Sequence, residues 1–212
     1  MRGRWLTGQV PPNTAPPAAE PLTQRARKRN ERRDRVFAAA VALFAERGYD
    51  ETSMDDIAAR SGLARTTVFN HYPRKVLFLE DWTQRRRHRA ARSFADRAPG
   101  DRPVRAVLGA YLAGLAALNE EDRTETVAIM PLALRHTDVM VDHPLGREFA
   151  DLVTAAGHEL QPGADPEWIG RLLALGYFSS VSRWIALEPA PFRIADDLER
   201  LLDAVLLGAL RR

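Results

Sequence analysis

The sequence of 212 residues contains no cysteine, only two lysines (Lys28 and Lys75), and no long apolar run. Without cysteine the chain cannot form disulfides, thiolate zinc sites or iron–sulfur clusters, and it cannot sense redox state through a thiol. Apolar stretches such as residues 205–210 are far shorter than the roughly 18 residues that a membrane span needs. Four prolines within residues 11–17 stand where a signal peptide would have its apolar segment, so we expect a cytoplasmic protein.

The net charge of +3 hides an uneven distribution along the chain. Residues 1–97 carry 20 Arg and Lys against 11 Asp and Glu, a balance of +9, whereas the rest of the chain carries 11 against 17, a balance of −6. This asymmetry predicts a polyanionic partner for the first part of the chain only.

Helical patterns begin after a segment of different composition. Residues 1–24 are rich in proline and alanine and have few large apolar side chains, so we predict a disordered tail there. A basic run at residues 25–35 leads into apolar residues that recur at i, i+3, i+4 and i+7 from Phe37 to Phe44. Gly48 is placed to end this first helix.

The next segment reads as two short helices joined by a turn. Ser53 and Asp56 have the spacing of a capping box and predict a helix start. Gly62 breaks that helix, and a third helix follows over residues 65–72 until Pro73, near the start of a fourth. A longer helix followed by two short ones around a glycine turn is the helix-turn-helix arrangement.

The remainder of the chain carries apolar stripes at helical spacing, separated by proline and glycine. No segment alternates apolar and polar residues as a half-buried strand would, so we predict an all-α protein. Pro131 falls inside one predicted helix and is expected to bend or shorten it.

One family has this order of residues over about 50 positions. The matching segments are Phe37-Ala38-Ala39-Ala40, Leu43-Phe44, Gly48-Tyr49, Thr52-Ser53-Met54, Asp56-Ile57-Ala58, Ser61-Gly62-Leu63, Thr67 to Tyr72, and Lys75. Together they resemble the DNA-binding domain of the tetracycline-repressor (TetR-like) family of bacterial transcriptional regulators.

The resemblance implies a division of the chain and a function. It implies a helix-turn-helix DNA-binding domain with a basic arm over residues 25–79, and a helical ligand-sensing and dimerisation bundle over residues 80–212. The function implied is that of a homodimeric repressor that leaves a pseudo-palindromic DNA operator when a small-molecule effector binds. Alternatives are a ligand-independent or activating regulator and a helical enzyme with a basic nucleic-acid-binding arm. Against an enzyme, the sequence has no P-loop, no G-x-S-x-G and no H-E-x-x-H motif.

The resemblance also implies that the third helix reads bases in a major groove with its first turn. Arg65 has the geometry for a bidentate contact to guanine, and a threonine methyl can touch the methyl group of thymine. Thr52 and Ser53 are expected to cap the second helix and also to lie near phosphates. The predicted DNA contacts are Arg29, Thr52, Ser53, Ala64, Arg65, Thr66, Thr67, Asn70, His71, Tyr72 and Lys75.

The two last predicted helices are apolar around much of their circumference, which suits a four-helix interface with a second copy. A monomer that buries the same stripes internally is the alternative. The predicted interface residues are Trp168, Leu172, Leu175, Ser179, Leu198, Leu202, Val205 and Leu206.

Residues for an effector pocket are harder to select, because a pocket wall and a packed core share one composition. The predicted ligand-binding residues are Trp82, Arg86, Tyr111, Met130, Phe149 and Phe178. The arginine-rich run at residues 85–89 encircles its helix and therefore cannot all face DNA. We favour ion pairs between this run and the acidic part of the chain. An inward-facing arginine beside Trp82 that selects an anionic ligand is the alternative.

We expect no metal and no cofactor. The candidate ligands are irregularly spaced and include no His pair on one helix face. They are His136, Asp138, Asp142, His143 and His158.

Overall fold

The computed structural model describes residues 23–92, 102–136, 143–156, 159–207 and 209–210. Nine helices lie in these residues, and they confirm the predicted all-α class. They are α1 (Gln24–Arg47), α2 (Met54–Ser61), α3 (Arg65–His71), α4 (Val76–Arg92), α5 (Val104–Glu121), α6 (Arg123–His136), α7 (Pro144–Ala155), α8 (Pro166–Ile185) and α9 (Ile194–Leu206). The predicted tail lies almost wholly outside the described residues.

Local signals in the sequence explain where the first helices begin and end. The Thr23 side chain accepts a hydrogen bond from the backbone N–H of Ala26 at the start of α1, and Gly48 follows its end with φ +90°. Ser53 and Asp56 form the predicted capping box, in which each side chain accepts a hydrogen bond from the other residue's backbone N–H. Gly62 ends α2 in the left-handed conformation that favours glycine.

Helices α1 to α3 enclose a small core with the beginning of α4. Val36, Ile57, Val68 and Phe78 are fully buried in it, and the ring of Phe44 packs edge-on against Phe78. Helix α4 passes without interruption through the boundary predicted at residues 79/80. The division into two domains at that point therefore remains a prediction.

The second part of the chain packs α5 to α9 around a larger core. Helices α7 and α8 approach closely at Gly170, where a Cβ atom would lie 2.3 Å from the carbonyl oxygen of Gly146. At Gly176 a Cβ would lie 2.4 Å from Leu201 of α9. These glycines permit contacts within the chain.

Helix α6 continues through Pro131, whose ring is exposed. In the described part of the chain, no helix is long and apolar enough to cross a membrane.

Candidate nucleic-acid interface and internal cavity

Helix α3 presents its first turn to solvent beside α2. Ala64, Arg65 and Thr66 are exposed, and Thr67 is half-buried. Arg65 Nε lies 3.1 Å from an Asp55 carboxylate oxygen, and its guanidinium stacks 5.3 Å from the Phe69 ring centroid. A surface ion pair of this kind contributes at most about 1 kcal/mol, so it orients Arg65 without withdrawing it from a base.

A basic groove runs between the first half of α1 and the exposed side of α3. It encloses about 670 Å³ of solvent-accessible space. Its lining residues are Gln24, Arg25, Lys28, Arg29, Arg32, Thr67, Asn70 and His71. Among the described residues, four cations and no carboxylate line this groove, so it attracts polyanions through salt-dependent electrostatic attraction.

His71 lies at the inner wall of the groove. Burial, together with the nearby cations Arg29, Arg33 and Arg32, lowers the pKa of its imidazole below the ordinary value of 6.5. A phosphate in the groove would offset these cations, and the pKa of His71 would then rise.

Two of the predicted DNA contacts are buried, and the structure corrects them. The Thr52 hydroxyl donates to the backbone oxygen of Gly48 at 2.7 Å inside the fold. Tyr72 is also buried, and its hydroxyl donates to Asp81. Neither side chain is accessible to a phosphate. Ser53 remains exposed beside its cap partner Asp56.

Lys75 is partly withdrawn from the surface by contacts with the loop between α1 and α2. Its Nζ donates to the backbone oxygens of Tyr49 at 2.6 Å and Thr52 at 3.0 Å. It also lies 4.2 Å from the centroid of the Tyr49 ring. Tyr49 also contacts the second part of the chain, because its ring stacks on His136 at the end of α6 with ring centroids 5.2 Å apart.

A buried carboxylate fixes the first half of α4 to α1 and α3. Asp81 accepts from Tyr72, and its oxygens lie 3.2 Å from an Arg33 nitrogen and 3.1 Å from Arg85 Nε. Arg85 extends the chain of contacts to Asp34, 2.7 Å away. Burial and the neighbouring Asp81 raise the pKa of Tyr72 to about 12. We call these five residues, Arg33, Asp34, Tyr72, Asp81 and Arg85, the Asp81 cluster.

The second half of α4 covers a small internal cavity. Its volume is about 20 Å³, enough for one water molecule. The lining residues are Trp82, Thr83, Arg86, Arg87, Leu115, Met130, His143, Leu145, Tyr177 and Phe178. The wall therefore combines residues of α4, α5, α6, α7 and α8.

Arg86 lies inside the protein with 7% of its surface exposed. Its Nη2 donates to the Asn119 amide oxygen at 2.9 Å and to the Thr126 hydroxyl at 3.1 Å, and its guanidinium lies 4.6 Å from the Trp82 ring centroid. Burial lowers the pKa of this guanidinium, although nearby Tyr177, Glu125 and Asp122 partly oppose the shift.

The arginine-rich run thus divides its contacts between the two parts of the chain. Arg85 pairs with Asp34 and Asp81, whereas Arg87 pairs with Glu148 and Arg89 with Glu121. The favoured ion pairs to the acidic part are present at Arg87 and Arg89. The inward-facing arginine of the alternative is present as well, at Arg86.

Four of the six predicted ligand-binding residues line the cavity: Trp82, Arg86, Met130 and Phe178. Tyr111 and Phe149 do not, since they pack against each other in the adjacent core with ring centroids 5.3 Å apart. Tyr111 also donates to Glu148, and burial is the main cause that raises its pKa.

The predicted dimer residues fall into two groups. Trp168 and Leu172 on α8 are 58% and 48% exposed, Ser179 is exposed, and Leu175 and Val205 are half-buried. By contrast, α9 buries three of the predicted residues within its own chain, which removes them from the interface. These are Leu198, Leu202 and Leu206.

In the described ranges, no group of three or more His, Asp and Glu side chains could hold a metal ion. His136 instead stacks on Tyr49, and His143 caps α7 through a hydrogen bond from the Leu145 backbone N–H to its Nδ1. Asp138, Asp142 and His158 lie outside the described residues.

Known proteins share both the sequence pattern and the fold. The family model for "Bacterial regulatory proteins, tetR family" matches residues 36–80, which span the helix-turn-helix. The transcriptional repressor KstR of Rhodococcus jostii is 25% identical over 186 residues, which cover 86% of this chain and 86% of KstR. Residues 36–80 therefore form a DNA-binding domain of the TetR-like family. The chain is a DNA-binding transcriptional regulator.

Solved structures extend this TetR-like assignment beyond the DNA-binding domain. Thermus thermophilus FadR, a TetR-family repressor solved in complex with lauroyl-CoA, is 28% identical with a TM-score of 0.61, over 85% of this chain and 96% of FadR. SmeT, the repressor of a Stenotrophomonas maltophilia efflux pump, has a TM-score of 0.60 at 22% identity, over 84% of this chain and 90% of SmeT, and supports the fold alone.

Several residues of this TetR-like regulator escaped prediction. Asp81 and His136 hold contacts between elements that are distant in the sequence, and only the packing reveals them. Arg87 stands in the predicted basic run, but its position on the cavity wall follows from the helix rotation. The sequence offered one indication of the Asp81 contacts: an ionisable residue stands within an apolar helical stripe.

Proposed function

We propose that this regulator is a homodimeric repressor that binds a pseudo-palindromic operator and is released by a small-molecule effector bound beneath α4. The observation that carries the DNA part is the exposed first turn of α3 beside a groove lined by four cations. Arg65 reads a guanine in this account, and the groove holds phosphates of the flanking backbone. Asn70 and His71, which also line the groove, contact the same backbone.

The exposed stripe on α8 supports the dimer. Trp168, Leu172, Leu175 and Ser179 are spaced by four, three and four residues and so share one helix face. Two large apolar side chains that are about half exposed on one face are typical of an interface. A second copy related by a two-fold axis would cover this face with the same face of its own α8.

The position of the cavity supports regulation. Four of its ten lining residues belong to α4, whose first half is fixed to the DNA-binding helices by the Asp81 cluster. A cavity of about 20 Å³ must expand to hold an effector, and this expansion displaces α4 together with the DNA-binding domain. The lauroyl-CoA complex of the related FadR favours regulation of this kind.

Selection of bound DNA from a random pool tests the operator. We expect an inverted repeat whose half-sites are one helical turn apart, about 34–36 Å between centres. Enrichment of a single half-site, or of no sequence, would contradict the proposal. Mapping the selected sequence to the genome would then identify the regulated genes.

Salt dependence tests the basic groove separately. Arg29→Ala should reduce the slope of log affinity against log salt concentration by about 1, on every DNA sequence. Arg47→Ala is the matched control, because Arg47 is an exposed arginine at the opposite end of α1. Equal changes of the salt slope in the two variants would show that the groove does not contact DNA.

Sedimentation velocity tests the dimer face. Leu172→Arg places a charge at the centre of the exposed α8 stripe and should yield monomers with weakened operator binding. Leu187→Arg is the control, since Leu187 is 62% exposed but lies beyond the end of α8. A dimer that persists in Leu172→Arg would exclude this face.

The small size of the cavity favours one further candidate, a regulator that needs no effector. The sign of regulation also has two candidates, because FasR of Mycolicibacterium smegmatis, 38% identical over 48 residues that cover 23% of this chain, is named an activator. Transcription from the selected operator, measured with and without candidate ligands, separates these cases. We further propose that the protein acts in the cytoplasm and is not an enzyme, which a screen of hydrolase substrates would check.

A further inference from the structure

The cavity beneath α4 has an unusual charge arrangement for an internal site. Two guanidinium groups, those of Arg86 and Arg87, line it with only 7% and 8% of their surfaces exposed. No Asp or Glu is among its lining residues in the described part of the chain. Buried charge is costly unless it is closely paired, and a ligand that supplies negative charge inside the cavity would complete the pairing of these two guanidinium groups.

The two arginines differ in how their charges are balanced. Arg87 forms an ion pair with Glu148, which also accepts from the Tyr111 hydroxyl. Among the described residues, Arg86 donates hydrogen bonds to the neutral side chains of Asn119 and Thr126, and its ion pair with the half-exposed Asp122 is long, with 4.0 Å between Nη1 and the carboxylate oxygen. The positive charge of Arg86 is therefore the less compensated of the two.

Both arginines also retain a free donor. The Nε atoms of Arg86 and Arg87 are buried and have no hydrogen-bond partner among the described residues. A buried N–H without an acceptor costs about 1–3 kcal/mol, so native proteins usually satisfy it. A carboxylate has two oxygens, so a single one offers an acceptor to each of these two donors.

The rest of the wall combines apolar and polar side chains. Leu115, Met130, Leu145 and Phe178 give it apolar surface beside the arginines, and Thr83, His143 and Tyr177 also line it. A charged anchor beside apolar side chains is a usual property of a site for an amphiphile.

We propose that Arg86 and Arg87 form the head-group site of an anionic amphiphile, a carboxylate with an apolar tail, and that this class of molecule is the effector. The inference rests on the proposed regulation by a ligand beneath α4. It goes further by assigning the charge of the ligand and the residues that recognise it. Arg86 provides the uncompensated charge, and each arginine donates one N–H to the carboxylate.

Three probes of equal chain length test the assignment: decanoate, 1-decanol and decyl phosphate. Binding to the full-length protein is measured by calorimetry below the aggregation concentration of each probe, and release from the selected operator by fluorescence anisotropy. We expect decanoate to bind at least tenfold more tightly than 1-decanol and to release the DNA. Decyl phosphate binding as tightly as decanoate would widen the class to anionic amphiphiles in general and overturn the carboxylate assignment.

Variants on one helix separate recognition from structure. Arg86→Gln keeps a hydrogen-bonding side chain beside Asn119 but removes the charge. It should weaken the binding of decanoate by at least tenfold and leave the binding of 1-decanol unchanged. Arg89→Gln is the matched control, because Arg89 is exposed on the same helix and pairs with Glu121. A merely structural role for Arg86 would weaken both probes equally and lower the melting temperature without changing their ratio.

The failures of the two proposals are distinguishable. If 1-decanol binds and releases DNA as well as decanoate, regulation through the cavity stands and the head-group site is excluded. If none of the probes binds, the head-group site is excluded, whereas operator recognition is judged by the DNA selection alone.

Discussion

The two halves of α4 are held in different ways. The first half is fixed to α1 and α3 by the Asp81 cluster, in which a buried carboxylate accepts a hydrogen bond from Tyr72 and forms ion pairs with Arg33 and Arg85. The second half lies over a cavity, and its buried Arg86 has neutral hydrogen-bond partners, one ion pair at 4.0 Å and an Nε atom that has no partner among the described residues. We therefore expect the first half to move with the DNA-binding helices and the second half to adjust to an occupant of the cavity.

This difference accounts for how a single helix can couple two sites. A rigid attachment at one end and an incompletely satisfied site at the other allow a ligand to shift the helix without unfolding the DNA-binding domain. The contact of Tyr49 with His136 gives a second connection between the two parts of the chain, independent of α4.

The largest expected effect comes from breaking the rigid end. Asp81→Asn removes the buried charge that Arg33 and Arg85 share and should lower the free energy of unfolding by about 2–4 kcal/mol, measured by urea denaturation. Asp34→Asn is the control, because this exposed partner of Arg85 should contribute less than about 1 kcal/mol. Similar losses in the two variants would contradict the account of a fixed first half.

A smaller effect is expected from the recognition helix itself. Arg65→Ala should cost roughly 1–3 kcal/mol in operator binding and relax the preference at one base position. Gel-shift titrations on the operator and on a set of singly substituted operators measure both. Equal weakening on every sequence would assign Arg65 to the phosphate backbone and remove it from base reading.

The second connection between the two parts should affect coupling more than binding. Tyr49→Leu removes the ring that stacks on His136 and lies over Lys75. The free energy that couples decanoate binding to operator release should therefore change by about 0.5–2 kcal/mol. Tyr49→Phe keeps the ring and should behave as the unaltered protein. If Tyr49→Leu shows unchanged release, α4 alone carries the coupling.

The smallest expected effect concerns pH. Burial and the nearby arginines hold the pKa of His71 below its usual value in the free protein, and bound phosphate should raise it. DNA binding then takes up a proton, so affinity increases as pH falls toward and below about 6.5. Anisotropy titrations between pH 5.5 and about 8 should show this increase, and His71→Gln should abolish it. If His71→Gln shows the same pH dependence of DNA affinity, a group other than His71 takes up the proton on binding.

The sequence predicted the DNA-binding end better than the cavity because local signals determine that end. The Ser53–Asp56 capping box and the Gly62 turn fix α2 and α3 within a few residues, so the exposure of Arg65 follows from the motif. The prediction that Thr52 and Tyr72 contact DNA was wrong because their burial depends on tertiary packing. Tyr72, for example, donates a hydrogen bond to Asp81 of another helix.

The cavity and the dimer face depend on helix rotation and packing, which apolar spacing does not determine. Phe149 and Phe178 are equally plausible from the sequence, yet only Phe178 lines the cavity. Likewise, Leu172 and Leu202 both lie on apolar stripes, but Leu202 is buried near Gly109 of α5 while Leu172 remains about half exposed. Gly176 shows the same dependence on packing, because its missing side chain lets Leu201 of α9 approach α8 closely within the chain.

We expect that filling the cavity moves the DNA-binding domain through α4. Because the chain has no native cysteine, Ala59→Cys on the exposed side of α2 gives one spin-label site per chain. Pulsed electron paramagnetic resonance then measures the distance between the two labels of a dimer. The account predicts that saturating decanoate changes this distance and that Arg86→Gln prevents the change. An unaltered distance with decanoate bound would contradict it.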